Sequence, residues 1–266
     1  MVENQDLLQS VLRDPEQDEP RERYASWCAG QEETATKARA DFIRIQIALA
    51  KTGRLTSPEA YLELRARERR LLTSYRDAWG ELVRGRVRSY DFNRGFVELI
   101  AISATEFLER GKELAAVAPI AHVDITSLGD DSKEFFRSPL LEPLRSLSVS
   151  NCSFGDSDVQ ALSDSRYLKE LRWLDLGYNH VGMEGAHALA RHTRDNLLRL
   201  RFVRFFGNPI DPTERFAHDN GRIVDRWLPP DGVKLEAQYG PLQWLRISGD
   251  LIEDVFPNRF PFSIRT

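Results

Sequence analysis

The stretch Leu171-Arg172-Trp173-Leu174-Asp175-Leu176-Gly177-Tyr178-Asn179-His180-Val181 decides the fold. Its apolar side chains fall at relative positions 0, 3, 5 and 10, with an asparagine at position 8. The same spacing recurs at Leu144, Leu147, Val149 and Phe154, where Cys152 takes the asparagine slot. It recurs again at Leu200, Val203, Phe205 and Ile210, with Asn208 in the slot. Apolar residues two apart read as a short strand with one buried face. The polar residue at position 8 follows, where the chain must turn. A buried amide there has to satisfy backbone donors and acceptors or it costs about 1–3 kcal/mol. The plainer reading, an ordinary turn asparagine in Tyr-Asn-His or Gly-Asn-Pro, explains one copy but not three at starts 144, 171 and 200.

This phrase resembles the leucine-rich repeat, one strand and one helix per turn of the chain. The resemblance implies a short α/β solenoid, with parallel strands on a concave face and helices on a convex one. Degenerate copies at Val97, Ile100 and Ile102, and at Ile120, Val123, Ile125 and Leu128, extend the series to starts 97, 120, 144, 171 and 200. Helices are expected at 105–117, 156–162 and 183–190 between the strands.

Before the repeats, apolar residues at helical spacing predict an all-helical cap over residues 1–90. Leu7, Leu8, Val11 and Leu12 share one helix face, ended at Asp14-Pro15. Pro20 starts a second helix carrying Tyr24, Trp27 and Cys28, and residues 38–50 read as a third that Gly53 ends. Leu7 to Trp27, followed by Ala40-Asp41-Phe42-Ile43-Arg44-Ile45-Gln46, resembles the bacterial repeat-companion domain that precedes leucine-rich repeats. Here Tyr24-Ala25-Ser26-Trp27-Cys28 departs from that family's Tyr-Ala-Asp-Trp-Leu, and a longer polar linker, 30–37, replaces its Gly-Asp. The resemblance implies a bacterial module and supplies no catalytic residue.

Residues 59–88 hold Arg65, Arg67, Arg69, Arg70, Arg76, Arg84, Arg86 and Arg88. One reading is a nucleic-acid patch. The interleaved Glu63, Glu68, Asp77 and Glu81 favour a solvated helix face whose Leu64, Leu71, Leu72, Tyr75, Trp79 and Leu82 turn inward. The repeats span 91–212. After them, 213–266 is expected to be a cap and tail: a turn at 229–232, a strand at 233–237, one more copy of the phrase at Leu242, Leu245, Ile247 and Ile252 with Asp250 in the slot, and an aromatic tail from Phe256 to Phe262.

A net charge of −4 argues against a generic nucleic-acid or anionic-membrane binder. No signal segment and no apolar run of membrane length is visible, and two cysteines in unrelated contexts fit a reducing, cytoplasmic setting. The five histidines form no zinc spacing, the Asp130-Asp131 pair has no partner at defined spacing, and no nucleophile elbow, P-loop or dinucleotide motif is present. No cofactor or metal is expected and no catalytic residue is assigned, although a hydrolase assembled in space remains an alternative.

Binding is the natural use of such a surface. Residues flanking the inward leucines point to the other face of the strands. Position 2 gives His122, Ser146, Trp173 and Phe202; position 4 gives Asp124, Ser148, Asp175 and Arg204; position 6 gives Thr126, Ser150, Gly177 and Phe206. Trp173, Phe202 and Phe206, beside Asp175 and Arg204 and extended by His122 and Asp124, are expected to form an aromatic, charged binding face for a protein partner. The competing expectation is that Trp244 or the tail covers it. An immunity or inhibitor protein directed at a toxin or enzyme is the concrete version.

Overall fold

The computed structural model describes residues 4–52, 57–129, 132–219 and 222–246. The chain divides into two compact units, the first built mainly from residues up to 101 and the second from residues 121 onward.

The first unit opens with α1 (Gln5–Arg13), α2 (Asp18–Ala29), α3 (Thr34–Lys51) and α4 (Pro58–Trp79). Asn4 starts α1, its Oδ1 accepting from Leu7 N at 3.1 Å. Leu8 and Val11 of α1, Tyr24 and Cys28 of α2, and Ile43 and Ile47 of α3 pack together with Phe96. Phe42 stacks on Trp79 at 4.6 Å, which ties α4 to α3. Leu82, expected to turn inward, is exposed.

A hairpin follows that the repeat spacing at Val97 did not foretell. Strand β1 (Ser89–Asn93) pairs antiparallel with β2 (Phe96–Ile102). Arg94 and Gly95 both take positive φ, 46° and 87°, the tight turn that suits strand twist. All seven residues of β2 are buried, so Val97, Ile100 and Ile102 do not mark one inward face. The turn is gripped from both sides. Gln46 Oε1 accepts from Gly95 N at 2.6 Å while its Nε2 donates to Phe92 O at 3.3 Å. Arg21, fully buried, donates to Glu98 Oε1 at 2.6 Å, Pro15 O at 2.6 Å and Arg94 O at 3.2 Å. Burial lowers the Arg21 pKa to about 10, against the raising pull of Glu98; the guanidinium stays charged.

Helix α5 (Ala104–Ala115) divides between the units near residue 109. The second unit then alternates short parallel strands with helices: β3 (His122–Ile125), α6 (Ser132–Phe136), β4 (Ser146–Ser148), α7 (Asp156–Ser163), β5 (Trp173–Asp175), α8 (Met183–His192) and β6 (Phe202–Arg204). The register is the one the phrase predicts. Val123 pairs with Leu147, Leu147 with Leu174, and Leu174 with Val203. These four, and the rows Leu144/Leu171/Leu200 and Ile125/Val149/Leu176/Phe205, are buried. Phe154, an apolar position of the phrase, also belongs to a chain of aromatic contacts. Phe107, Phe135, Phe136 and Phe154 meet at centroid distances of 5.8, 5.2 and 5.8 Å.

After β6 the chain forms a second hairpin, β7 (Arg215–Asp219) and β8 (Arg222–Trp227), then α9 (Pro230–Tyr239) and a single 3-10 turn, Gln243–Leu245. The expected strand at 233–237 is helical: Pro229 precedes a Pro at the first helical position, which starts a helix well. Trp244 is buried against Phe205 at 5.9 Å and donates to Thr193 Oγ1 at 3.0 Å. It therefore packs with the inward residues rather than over the Trp173 side. Gly53, Asp130, Asp131, Ile247, Asp250, Ile252 and the tail lie outside the described residues. No helix among the described residues is long and apolar enough to cross a membrane.

Candidate interaction face

The polar slot holds the rungs together and so sets the face. Asn179 uses its whole amide. Oδ1 accepts from Cys152 N at 2.9 Å and Phe154 N at 3.0 Å; Nδ2 donates to Val149 O at 2.8 Å and Leu176 O at 3.0 Å. Asn208 repeats this one rung on, accepting from Val181 N at 2.9 Å and donating to Leu176 O at 2.7 Å and Phe205 O at 2.9 Å. Cys152 Sγ reaches Ile125 O at 3.2 Å. Each slot residue closes its own turn and ties it to the rung before. On the helix side, Asp156 of α7 accepts from Gly182 N, the cap of α8, at 2.7 Å.

With rungs in register, the flanking positions form rows. His122 pairs with Ser146, Ser146 with Trp173 and Trp173 with Phe202; Asp124, Ser148, Asp175 and Arg204 follow likewise. The structure thus brings the expected residues together, but not as an exposed aromatic cluster. Trp173 is 3% exposed and Phe202 8%, their rings stacked at 5.7 Å and 8°. Flat stacking is the contact expected of aromatics on paired positions of adjacent strands. His122 is buried, its Nδ1 sharing a hydrogen bond with Ser146 Oγ at 2.8 Å. That is the spacing of a base and a nucleophile, yet Ser146 is fully buried.

Asp175 is buried as well. Desolvation raises its pKa to about 6, opposed by Arg204 and by the Gly177 N–H and reinforced by Asp124. Gly177 N donates to Asp175 Oδ1 at 2.7 Å, and Arg204 Nε lies 3.2 Å from the same oxygen. That Arg204 nitrogen is not aligned for a hydrogen bond, so the attraction is one of charge. Gly177 makes room for it: a Cβ there would lie 2.6 Å from Arg204 Nη2.

Exposure appears at the turn after the strands. Phe206 is 56% exposed and Tyr178 49%, their rings edge to face at 5.3 Å. Arg204 stands over the Tyr178 ring at 5.7 Å. Phe206 is one of the residues expected on the face; Tyr178 is not. Position 7 of the phrase is left-handed in three successive rungs, at Asn151 (φ 57°), Tyr178 (φ 55°) and Gly207 (φ 79°). Asn and Gly suit that conformation and tyrosine does not, a signal readable from the aligned copies. A cleft of about 320 Å³ continues from Phe206 along Arg204, Asp211, Glu214 and Phe216.

Four of the eight arginines between residues 65 and 88 pair with acids. Arg65 pairs with Glu68, Arg76 with Asp91 at 3.2 Å, Arg84 with Asp77 at 3.0 Å and Arg86 with Glu113 at 3.9 Å. No cluster of His, Cys, Asp and Glu able to hold a metal occurs among the described residues.

A model of the leucine-rich-repeat family matches residues 141–163 and 167–190, the two rungs built on β4 and β5. These two stretches are similar to leucine-rich repeats, a kind of element that generally mediates protein–protein contacts and is typically non-catalytic. No curated protein and no solved structure matches the chain.

Proposed function

We propose that the chain is a non-catalytic protein-binding module, a short leucine-rich-repeat solenoid that grips its partner at the strand rim around Tyr178 and Phe206. One observation carries this reading. Tyr178 holds a left-handed backbone that costs a bulky residue about 1–3 kcal/mol, and the structure around it presents its ring rather than burying it. Strain kept for an exposed aromatic is strain with a use. Gly207 supports the arrangement, since a Cβ there would sit 2.7 Å from Tyr178 Cδ1. Asp175 and Arg204 brace the rim from below, while the buried Trp173, Phe202 and His122, with Asp124 beside them, hold the strands that carry the rim without touching a partner themselves. Residues 1–90 are read as a repeat-companion cap, in which Tyr24, Ile43 and Gln46 of the resembling segments hold the first hairpin.

The test is capture of a partner from native lysate by the full chain and by a Tyr178→Asn/Phe206→Ala variant. Asparagine suits the left-handed slot, so the variant keeps the turn. A specific partner retained by the parent should drop more than about tenfold with the variant, as for loss of two aromatic anchors. Equal recovery removes the reading. Its narrower form, an immunity or inhibitor protein, is motivated by the acidity of the sequence and by its lack of catalytic motifs. Co-expression with a toxin encoded beside its gene should then protect cells, and failure to protect discards that form alone.

A further inference from the structure

The helix side of the repeats carries a cavity of about 640 Å³ between α7, α8 and the end of α9. Asp156, Gln160, Glu184, His187, Arg191 and Tyr239 line it. Glu184, His187 and Arg191 recur at i, i+3 and i+7, so they share one face of α8. The rest of that helix buries Ala186, Ala188, Leu189 and Ala190. A rise of about 1.5 Å per residue sets Glu184 and Arg191 about 10 Å apart along the axis. One end of the cavity is therefore acidic and the other basic. Asp156 joins the acidic end. Its Oδ1 accepts from Gly182 N at 2.7 Å, and Gly185 lets it come close, since a Cβ there would lie 2.6 Å from that oxygen. Among the described residues Asp156 Oδ2 accepts no hydrogen bond and Glu184 has no ion pair. Arg191 donates from Nε to His187 O of its own helix at 3.4 Å, and its Nη groups have no partner among the described residues. Hydrogen-bonding groups stand between the charged ends. His187 Nδ1 shares a hydrogen bond with Tyr239 Oη at 3.2 Å, and Gln238 Nε2 donates to the same oxygen at 3.1 Å. An acid in the first turn and a base in the last suit the helix dipole, but the dipole calls for no polar wall between them.

We propose that this cavity binds a short peptide with free termini, its ammonium held by Asp156 and Glu184 and its carboxylate by Arg191. The site is separate from the strand rim and does not rest on the protein-binding reading. Charge and length select the ligand. An extended chain advances about 3.4 Å per residue, so three residues span the roughly 10 Å between the two ends. The guanidinium fork takes a carboxylate at two points. Peptide groups between the termini carry both donors and acceptors, which His187, Gln160 and Tyr239 can meet. The volume lies within the roughly 300–1,000 Å³ of small-ligand sites. A single amino acid is too short to reach both ends, and a ligand of one sign sets like charges together at one of them.

The probe is trialanine, titrated into the full chain by isothermal calorimetry beside N-acetyl-trialanine, trialanine amide and free alanine. Trialanine should bind, and each of the other three should bind at least about tenfold more weakly, having lost one charged end or the reach between them. Glu184→Gln and Arg191→Gln are exposed changes that leave the helix core untouched. Each should weaken trialanine at least about fivefold. The losses should follow the ends of the ligand: Arg191→Gln should change the affinity for trialanine amide by less than about twofold, and Glu184→Gln that for N-acetyl-trialanine likewise. Lys169→Gln, exposed and outside the cavity, should stay within about twofold for every ligand. Absence of trialanine binding at millimolar concentration, equal binding of the blocked peptides, or variant losses that ignore which end is blocked overturns the proposal.

Discussion

Asn179 has two donors and two acceptor sites, and all four are engaged by backbone groups of two rungs. Asn179→Ala strands those groups in a buried turn, and a loss on the order of 3 kcal/mol is expected in urea unfolding. Cys152→Ala, which gives up a weak sulfur donor to Ile125 O, should cost about 1 kcal/mol or less. The reverse order would show that the slot is not what joins the rungs. Asp175 makes a different kind of prediction. Its folded pKa of about 6 lies above the unfolded value of about 3.9. Between those values the folded chain holds a proton that the unfolded chain has released. The stabilisation is therefore fully present below about pH 4 and is lost as pH rises through about 6, by up to roughly 3 kcal/mol. Asp175→Asn should flatten that part of the profile, measured as the difference in urea midpoint between parent and variant from about pH 4 to about pH 7. Parallel profiles would mean that Asp175 ionises normally.

At the scale of elements, legibility followed the range of the forces involved. Helices α1 to α3 were visible because their inward residues recur within each helix. The hairpin of β1 and β2 was not, because β2 is buried on both faces and shows no alternation. Its one local mark is Asn93-Arg94-Gly95, and the residues after it carry the repeat spacing at Val97, Ile100 and Ile102. The segment at 233–237 was misread for the opposite reason: Val233, Leu235 and Ala237 alternate, but only Leu235 of them is fully buried and the proline start fixes a helix. Gly95 now carries a test. Its φ is 87°, and a Cβ would lie 2.2 Å from Ile43 Cγ1 and 2.8 Å from Ile43 Cα. Gly85 has a similar φ of 78° with open space around it. Gly85→Ala should cost about 1 kcal/mol for the dihedral alone, and Gly95→Ala clearly more, above about 2 kcal/mol, because backbone must move. Equal melting temperatures for the two variants would show that the turn is not clamped by α3.

For the molecule as a whole, the repeat was legible because each rung covers its neighbour with the same three apolar positions, so the pattern had to be written several times. The binding face was legible only as rows. Which members of a row stay open depends on stacking between strands, as with Trp173 on Phe202, and stacking is not encoded in any one rung. The same nearest-neighbour logic predicts how damage spreads. Leu174 is fully buried between Leu147 and Val203, so Leu174→Ala opens a cavity touching two rungs and should cost about 2–5 kcal/mol. Val203 pairs with Leu174 on one side, and among the described residues no strand follows β6 on the other. Val203→Ala should therefore act on one neighbouring strand, β5, and on the 3-10 turn Gln243–Leu245 packed beside β6. Hydrogen exchange separates the cases: Leu174→Ala should speed exchange in β4, β5 and β6 together, whereas Val203→Ala should speed it in β6 and β5 and leave β4 protected. Loss confined to the mutated strand in both variants would mean that the rungs hold themselves, and that the face they form is not a cooperative surface.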